Sequence, residues 1–335
     1  MNINFEKYMS DFVNVNEVEL YRIIKYQLGW EDEYGNPIDQ NKNFYRTYSS
    51  SVLDISEIFG TTSNINFPFA ASVEILANSW MVHGDVQSGV TDRNGKSSVW
   101  WVWGPAQSIN TGDGLHALAR LCLLENKFNI NSEILLRSLK IFDSAYLTLC
   151  EGENLDISYQ ESPLVSEKDY MNMVKKRSGS LFSCAFEFGY ISSVINKKMQ
   201  IDNNILSKIN ELGEKIGILN ALSLDVSLIN NSNKVGPELF HRFSSKKKNI
   251  FVVYVLNNSD PSIKRKIGEI YLKRVLEEND LNEIIPIIKS SNFFEYYSEL
   301  KSEIENSCVK ILDNLEFNQE QKDKFLIIMD KNEIL

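Results

Sequence analysis

Residues 68–114 read PFAASVEILANSWMVHGDVQSGVTDRNGKSSVWWVWGPAQSINTGDG. The first half is largely apolar and holds no glycine or proline between Pro68 and His83. Proline is tolerated in the first turn of a helix, where its missing N–H would have no partner anyway. The segment 68–88 therefore predicts a helix. It ends in a polar patch, His83-Gly84-Asp85-Val86-Gln87-Ser88-Gly89. A basic loop follows, Arg93-Asn94-Gly95-Lys96, and then an aromatic run of Trp100, Trp101 and Trp103. Gly112-Asp113-Gly114 lies in or beside a further helix that continues as LHALARLCLLE, apolar enough to be central.

Working outward, periodic apolar positions predict an amphipathic helix within 1–30 and helices at 48–59, 131–150, 166–197 and 201–229. Gly60 stops the second of these, and turn residues mark loops at Asp32–Pro37 and Asn230–Pro237. The run Ile250-Phe251-Val252-Val253-Tyr254-Val255-Leu256 has strand-like residues but no partner strands elsewhere, so it reads as a buried helix. Residues 262–335 alternate charges with Ile and Leu and read as three amphipathic helices. With seven prolines in 335 residues and no linker or internal repeat, the expectation is a single all-α domain over 1–335.

A net charge of −10 argues against nucleic acid as a partner. No apolar run approaches the roughly 20 residues of a membrane span, and the N-terminus has no signal-peptide core. Cys122, Cys150, Cys184 and Cys308 show neither metal spacing nor a disulfide framework. They read as reduced, buried thiols, and the expected location is cytoplasmic. His83, His116 and His241 are too dispersed in sequence to propose a zinc site.

The order polar patch, basic loop, Val99-Trp100, Trp103-Gly104, Ala106-Gln107, Ile109-Asn110 and Gly112-Asp113-Gly114 resembles the trans-isoprenyl diphosphate synthases, the polyprenyl synthetase family. Weaker matches run through Leu155-Asp156-Ile157, from Tyr170 to Gly179, and from Gly213 to Tyr254. The resemblance implies an all-α isoprenoid synthase-type bundle around a central cavity, usually a homodimer. It also implies Mg²⁺ bound between two Asp-rich motifs. Ionising an allylic diphosphate means stabilising a highly charged leaving group, which Mg²⁺ and carboxylates can do.

Here both motifs are degenerate. The first, Asp-Asp-x-x-Asp, falls on Gly84, Asp85 and Ser88, so only its middle acid remains. The second falls on Leu224, Asp225 and Leu228, and again only the middle acid remains. Asp85 and Asp225 are the candidate catalytic remnants and the only candidate metal ligands. The terpene-cyclase form of the second motif fits no better, because Ile229 stands where it needs a hydroxyl. The basic residues are better kept. Arg46 lies in the segment Phe44-Tyr45-Arg46-Thr47-Tyr48-Ser49, which matches the family's Gly-Lys-Arg-x-Arg-Pro. Arg93 and Lys96 match arginines of the post-helix loop, and Arg177-Ser178-Gly179 matches Lys-Thr-Gly. Lys247 and Lys248 match a Lys-Lys pair. Arg46, Arg93, Lys96, Arg177 and Lys247 are thus candidate diphosphate ligands, each with the alternative reading of a solvated surface charge. Trp80 and Ser79 stand four and five positions before the first acid, where bulk limits product length in the family. Trp80 would then shorten the cavity to about two or three isoprene units, or else simply pack the core. The three tryptophans at 100, 101 and 103 read as packing anchors.

The resemblance therefore implies a protein of isoprenoid metabolism that binds a short prenyl diphosphate with altered or lost prenyl transfer. Three alternatives are a non-catalytic subunit that pairs with an active homologue, a terpene-cyclase-like enzyme, and a lipid-diphosphate sensor.

Overall fold

The computed structural model describes residues 3–38, 46–93, 95–125, 130–230 and 237–333. Phe44, Tyr45, Asn94 and the loop residues 231–236 lie outside the described residues. The helices in chain order are α1 (Ile3–Val13), α2 (Glu19–Gln27), α3 (Thr47–Ile58), α4 (Phe67–Ser88), α5 (Val99–Leu124), α6 (Ser132–Gln160), α7 (Glu167–Val174) and α8 (Ser180–Lys197). They continue with α9 (Asn203–Asn230), α10 (Pro237–Ser244), α11 (Ile250–Asn258), α12 (Pro261–Leu272), α13 (Glu278–Ser290), α14 (Phe293–Asp313) and α15 (Gln319–Glu333). A two-residue hairpin, β1 (Asp92–Arg93) and β2 (Lys96–Ser97), separates α4 from α5. The fold is all-α, as the resemblance implied. The chain divides into two compact units, Met1–Ser144 with Cys184–Asn210, and Ala145–Ser183 with Glu211–Leu335.

The region 1–30 includes the expected amphipathic helix, and its described residues hold two helices in all, α1 and α2, parted by a stretch with exposed Val15 and Val18. Three sequence expectations need correction. The expected helix over 166–197 is interrupted at Lys175–Gly179, where the backbone widens into one π-helical turn. The C-terminal region holds four helices, since Glu316 adopts a left-handed backbone (φ 56) between α14 and α15. Cys150 is exposed on α6, whereas Cys122, Cys184 and Cys308 are buried.

In the first unit α4 is the axis. Every residue from Phe67 to Ser79 is buried, as expected of a helix that is apolar on all sides. Its few polar side chains find internal partners, which burial requires. Glu74 accepts from the Ser49 amide, Asn78 donates to the Glu74 carbonyl, and Ser79 Oγ donates to the Gly112 carbonyl at 2.7 Å. That last bond ties α4 to α5. The helix stops at Gly89, whose φ of 67 turns the chain away. α5 is kinked at Gly104-Pro105: the residue before proline is driven from the helical region, and Gly104 takes φ 83, which costs little only for glycine.

In the second unit α11 lies in the core. Ile250, Phe251, Val252, Val253, Val255 and Leu256 are buried among residues of α7, α9, α10, α12 and α13. The β-branched run is helical because packing overrides an intrinsic strand preference when no strand is offered to it. α9 approaches the π turn backbone to backbone. A side-chain carbon at Gly217 would sit 2.6 Å from the Ser178 carbonyl oxygen, so any larger residue would push the two apart.

Candidate functional site

Two acid–arginine pairs, one in each unit, organise the site residues. In the first unit α4 carries Asp85 near its C-terminal end, and β1 carries Arg93 eight residues on. Arg93 Nε and Nη2 both reach Asp85 Oδ1 at 2.6 Å. The carboxylate is nearly buried, while 42% of the Arg93 side chain meets solvent. Gly84 and Ser88, the other two motif positions, add no charge.

The remaining first-unit candidates are engaged inside the fold, so the solvated-charge alternative does not describe Arg46 or Lys96. Arg46 is buried and donates to Glu6 Oε1 at 2.6 Å and to the Leu28 carbonyl at 2.7 Å. Trp30 Nε1 donates to the same Glu6 oxygen. Burial pushes the nearby Glu74 carboxyl up, against the pull of Arg46. Lys96 donates to the carbonyls of Tyr26 and Gln27 at the end of α2, and its ammonium lies 4.4 Å from the Tyr26 ring centre. Lysine bonded to final helix carbonyls is favoured by the helix dipole. Burial, with Arg46 adding repulsion, lowers the Lys96 ammonium to about 8. Trp80 is half-buried on α4. Trp100 anchors its indole N–H on the Val90 carbonyl at 2.6 Å, and Trp103 meets Tyr26 edge-on. Trp101 is 61% exposed, so it is not the packing anchor expected.

In the second unit the acid is held more completely. Asp225 on α9 is buried. Its Oδ1 accepts from Arg242 Nη1 at 2.8 Å, and its Oδ2 accepts from the Tyr170 hydroxyl at 2.8 Å and from the Ile250 amide at 3.2 Å. Burial raises the Tyr170 phenol far above its usual range, and the Asp225 charge raises it further. A second cluster centres on Asp156 of α6, which is fully buried. Arg177 Nη1 and Lys247 Nζ reach its Oδ2 at 2.7 and 3.0 Å. Burial would raise the Asp156 carboxyl, but the two cations outweigh it and hold the group below the usual carboxylate range. Glu153 lies 3.9 Å from Arg177 Nε. Arg177 sits in the π turn, pressed against α6: a side-chain carbon at Gly152 would meet its backbone nitrogen at 2.5 Å. Lys247 follows the left-handed Lys246 (φ 57) at the end of α10. Lys248 is buried over the Tyr271 ring, and burial lowers its ammonium to about 8. Neither Arg177 nor Lys247 is a solvated surface charge.

Sequence reasoning does not single out Asp156, Tyr170 or Arg242 as site residues. Asp156 has a signal, since it belongs to the matched Leu155-Asp156-Ile157. Arg242 lies within the weakly matched stretch from Gly213 to Tyr254, but no matched motif marks it, and its partner stands 17 residues away.

These residues do not fit a divalent metal centre. Among the described residues no group of three or more His, Cys, Asp or Glu side chains is placed to hold a metal ion. His83 meets Asp113 at 3.5 Å and the Ile109 carbonyl at 3.2 Å, while His241 lies on α10 of the other unit. At each motif one carboxylate stands alone, and its Oδ1 is occupied by arginine. An Mg²⁺ ion about 2.1 Å from Asp225 Oδ1 would lie no more than about 5 Å from the Arg242 nitrogen. Their repulsion would be about 7 kcal/mol at an effective dielectric constant near 20.

The chain is 25% identical over 276 residues to the geranylgeranyl diphosphate synthase of Saccharolobus solfataricus, a match covering 82% of this chain and 81% of that one. It is 27% identical over 246 residues to the short chain isoprenyl diphosphate synthase of Methanocaldococcus jannaschii, covering 73% and 70%. The crystal structure of a polyprenyl synthetase from Streptomyces coelicolor A3(2) matches with a TM-score of 0.84 at 23% identity, over 98% of this chain and 96% of that one. At that identity the likeness speaks for the fold alone. The polyprenyl synthetase family profile matches residues 46–288, spanning α3 to α13 and both acid–arginine pairs. By that match and that fold, the chain belongs to the polyprenyl synthetase family and so to isoprenoid metabolism.

Proposed function

We propose that this chain binds a short prenyl diphosphate and does not, by itself, elongate it by metal-dependent condensation. One observation carries this reading. At each of two motif positions a single acid survives, and each surviving acid is neutralised by an arginine inside its own unit. A metal-assisted ionisation needs several carboxylates free to share the ion. The relatives named as prenyl diphosphate synthases motivate the ligand class. In the second unit, Arg177 and Lys247 are the cations we assign to its diphosphate. In the first unit, taken by itself, Arg93 stays a candidate cation and Trp80 a candidate limit on tail length, at about two or three isoprene units. We take the two units to act as one isoprenoid synthase-like domain in the cytoplasm. No helix among the described residues is long and apolar enough to cross a membrane.

The experiment is diphosphate release by the purified chain. Dimethylallyl, geranyl and farnesyl diphosphate are supplied with Mg²⁺, with and without isopentenyl diphosphate, and the organic products are analysed. The expected outcome is no release under any condition. Robust elongation in the presence of isopentenyl diphosphate would sink the reading. Release without it would favour a terpene-cyclase-like enzyme.

One observation favours a second reading, a non-catalytic subunit paired with an active homologue. α5 leaves Trp101, Ile109, Leu121 and Leu124 exposed, large apolar groups that a partner chain could cover. Light scattering on the chain alone would separate a self-sufficient homodimer from a monomer awaiting another partner.

A further inference from the structure

In the second unit the acids are buried more deeply than the cations that match them. The side chains of Asp156 and Asp225 are 0% and 6% exposed, whereas those of Arg177, Lys247 and Arg242 are 15%, 18% and 26% exposed. Tyr170 joins the two clusters. Its hydroxyl donates to Asp225, and it lies within the fields of both Arg177 and Arg242. Three partly open cations face two buried acids, with Glu153 the third acid at 3.9 Å from Arg177, so the groups nearer solvent are the cations and they disfavour a divalent ion. Guanidinium groups also offer paired donors that suit phosphate oxygens, which a metal ion would otherwise hold.

We infer that Arg242 stands in for the divalent ion at Asp225, so that this unit holds a diphosphate group through Arg242, Arg177 and Lys247 without metal, an assignment that rests on the diphosphate-ligand reading above. Asp225 then acts as a positioning residue: it fixes the Arg242 guanidinium, and Tyr170 and the Ile250 amide fix the carboxylate.

The test is titration calorimetry on the full chain with two probes, inorganic pyrophosphate and geranyl diphosphate. Each is titrated in EDTA and in Mg²⁺ at matched free ligand. The expected result is that both probes bind in EDTA and that Mg²⁺ does not tighten either. Arg242→Gln should weaken pyrophosphate binding in EDTA about tenfold, and Arg242→Lys should restore only part of it, because the charge returns without the guanidinium's paired donors. Binding that requires Mg²⁺ would overturn the metal-free assignment while leaving the prenyl diphosphate reading standing. Pyrophosphate bound in EDTA with geranyl diphosphate excluded would do the reverse. No binding of either probe under either condition would overturn both. Arg242→Gln binding pyrophosphate as tightly as the unaltered chain would remove Arg242 from the site. Should that variant not fold, the Lys variant and the metal comparison decide the matter alone.

Discussion

The two acid–arginine pairs look alike on paper and differ in depth. Asp85 and Arg93 are eight residues apart, joined by a helix end and a hairpin, and the arginine is 42% exposed. Asp225 and Arg242 come from different helices, the arginine is 26% exposed, and the carboxylate also takes a phenol and a backbone amide. The first pair is a local clip whose cation can turn to solvent. The second is a junction on which α7, α9, α10 and α11 all converge. Retention of the middle acid at both motifs thus has a structural cause in each unit, and the cause is stronger in the second.

If that contrast is right, Asp225→Ala carries the largest expected effect. It leaves Arg242 without its carboxylate and strands the buried Tyr170 hydroxyl and Ile250 amide. Such losses together cost about 3 kcal/mol or more. Urea denaturation of the variant measures it. A cost below about 1 kcal/mol would mean that the junction is not holding the unit together.

Asp156 gives the same contrast a pH signature. Its carboxyl is held below its usual value of 3.8 because Arg177 and Lys247 outweigh burial. A depressed carboxyl contributes stability that is complete above the unfolded value and is lost as pH falls through the folded one. Stability should therefore drop below about pH 4, and Asp156→Asn should flatten that limb while lowering stability at pH 7. Thermal melts of the two proteins between pH 3 and pH 7 would show it. An Asn variant with the same acid limb would assign that limb to other groups.

Much of this is legible in the sequence, and the parts that are not have physical reasons. The helix around 68–88 follows from a largely apolar run with no glycine or proline between Pro68 and His83, and the surviving acids follow from the motif register. The helix at 250–256 follows from the lack of a strand partner. The π turn at Lys175–Gly179 cannot be read, because the extra residue leaves no mark in a pattern of apolar positions. The break between α14 and α15 is hidden because Glu316, not glycine, takes the left-handed turn. Arg242 is hidden because its partner is chosen by the packing of α10 on α9, which no local spacing encodes. Arg93 is visible because it matches an arginine of the resembled loop, although its pairing with Asp85 is not read there.

Asp85→Ala should be milder than Asp225→Ala. Arg93 can recover water when its partner goes, so the loss should be about 1 kcal/mol, in the range of partly exposed pairs. The same urea titrations rank the two variants directly. Equal costs would erase the distinction between clip and junction, and a larger cost at Asp85 would reverse it.

Gly84 yields the smallest effect and the sharpest question about the first unit. It sits inside α4, where a side-chain carbon would meet nothing within 4 Å. Glycine in a helix interior costs about 1 kcal/mol relative to alanine. Its place beside Asp85 is therefore not dictated by crowding, unlike Gly217 in the second unit. Gly84→Ala should raise stability by up to about 1 kcal/mol, and it should leave geranyl diphosphate binding unchanged if nothing approaches the helix there. A variant that gains stability but loses binding would show that the bare backbone at Gly84 makes room for the ligand. The degenerate motif would then be a reshaped contact, and not merely a site from which the metal acids have gone.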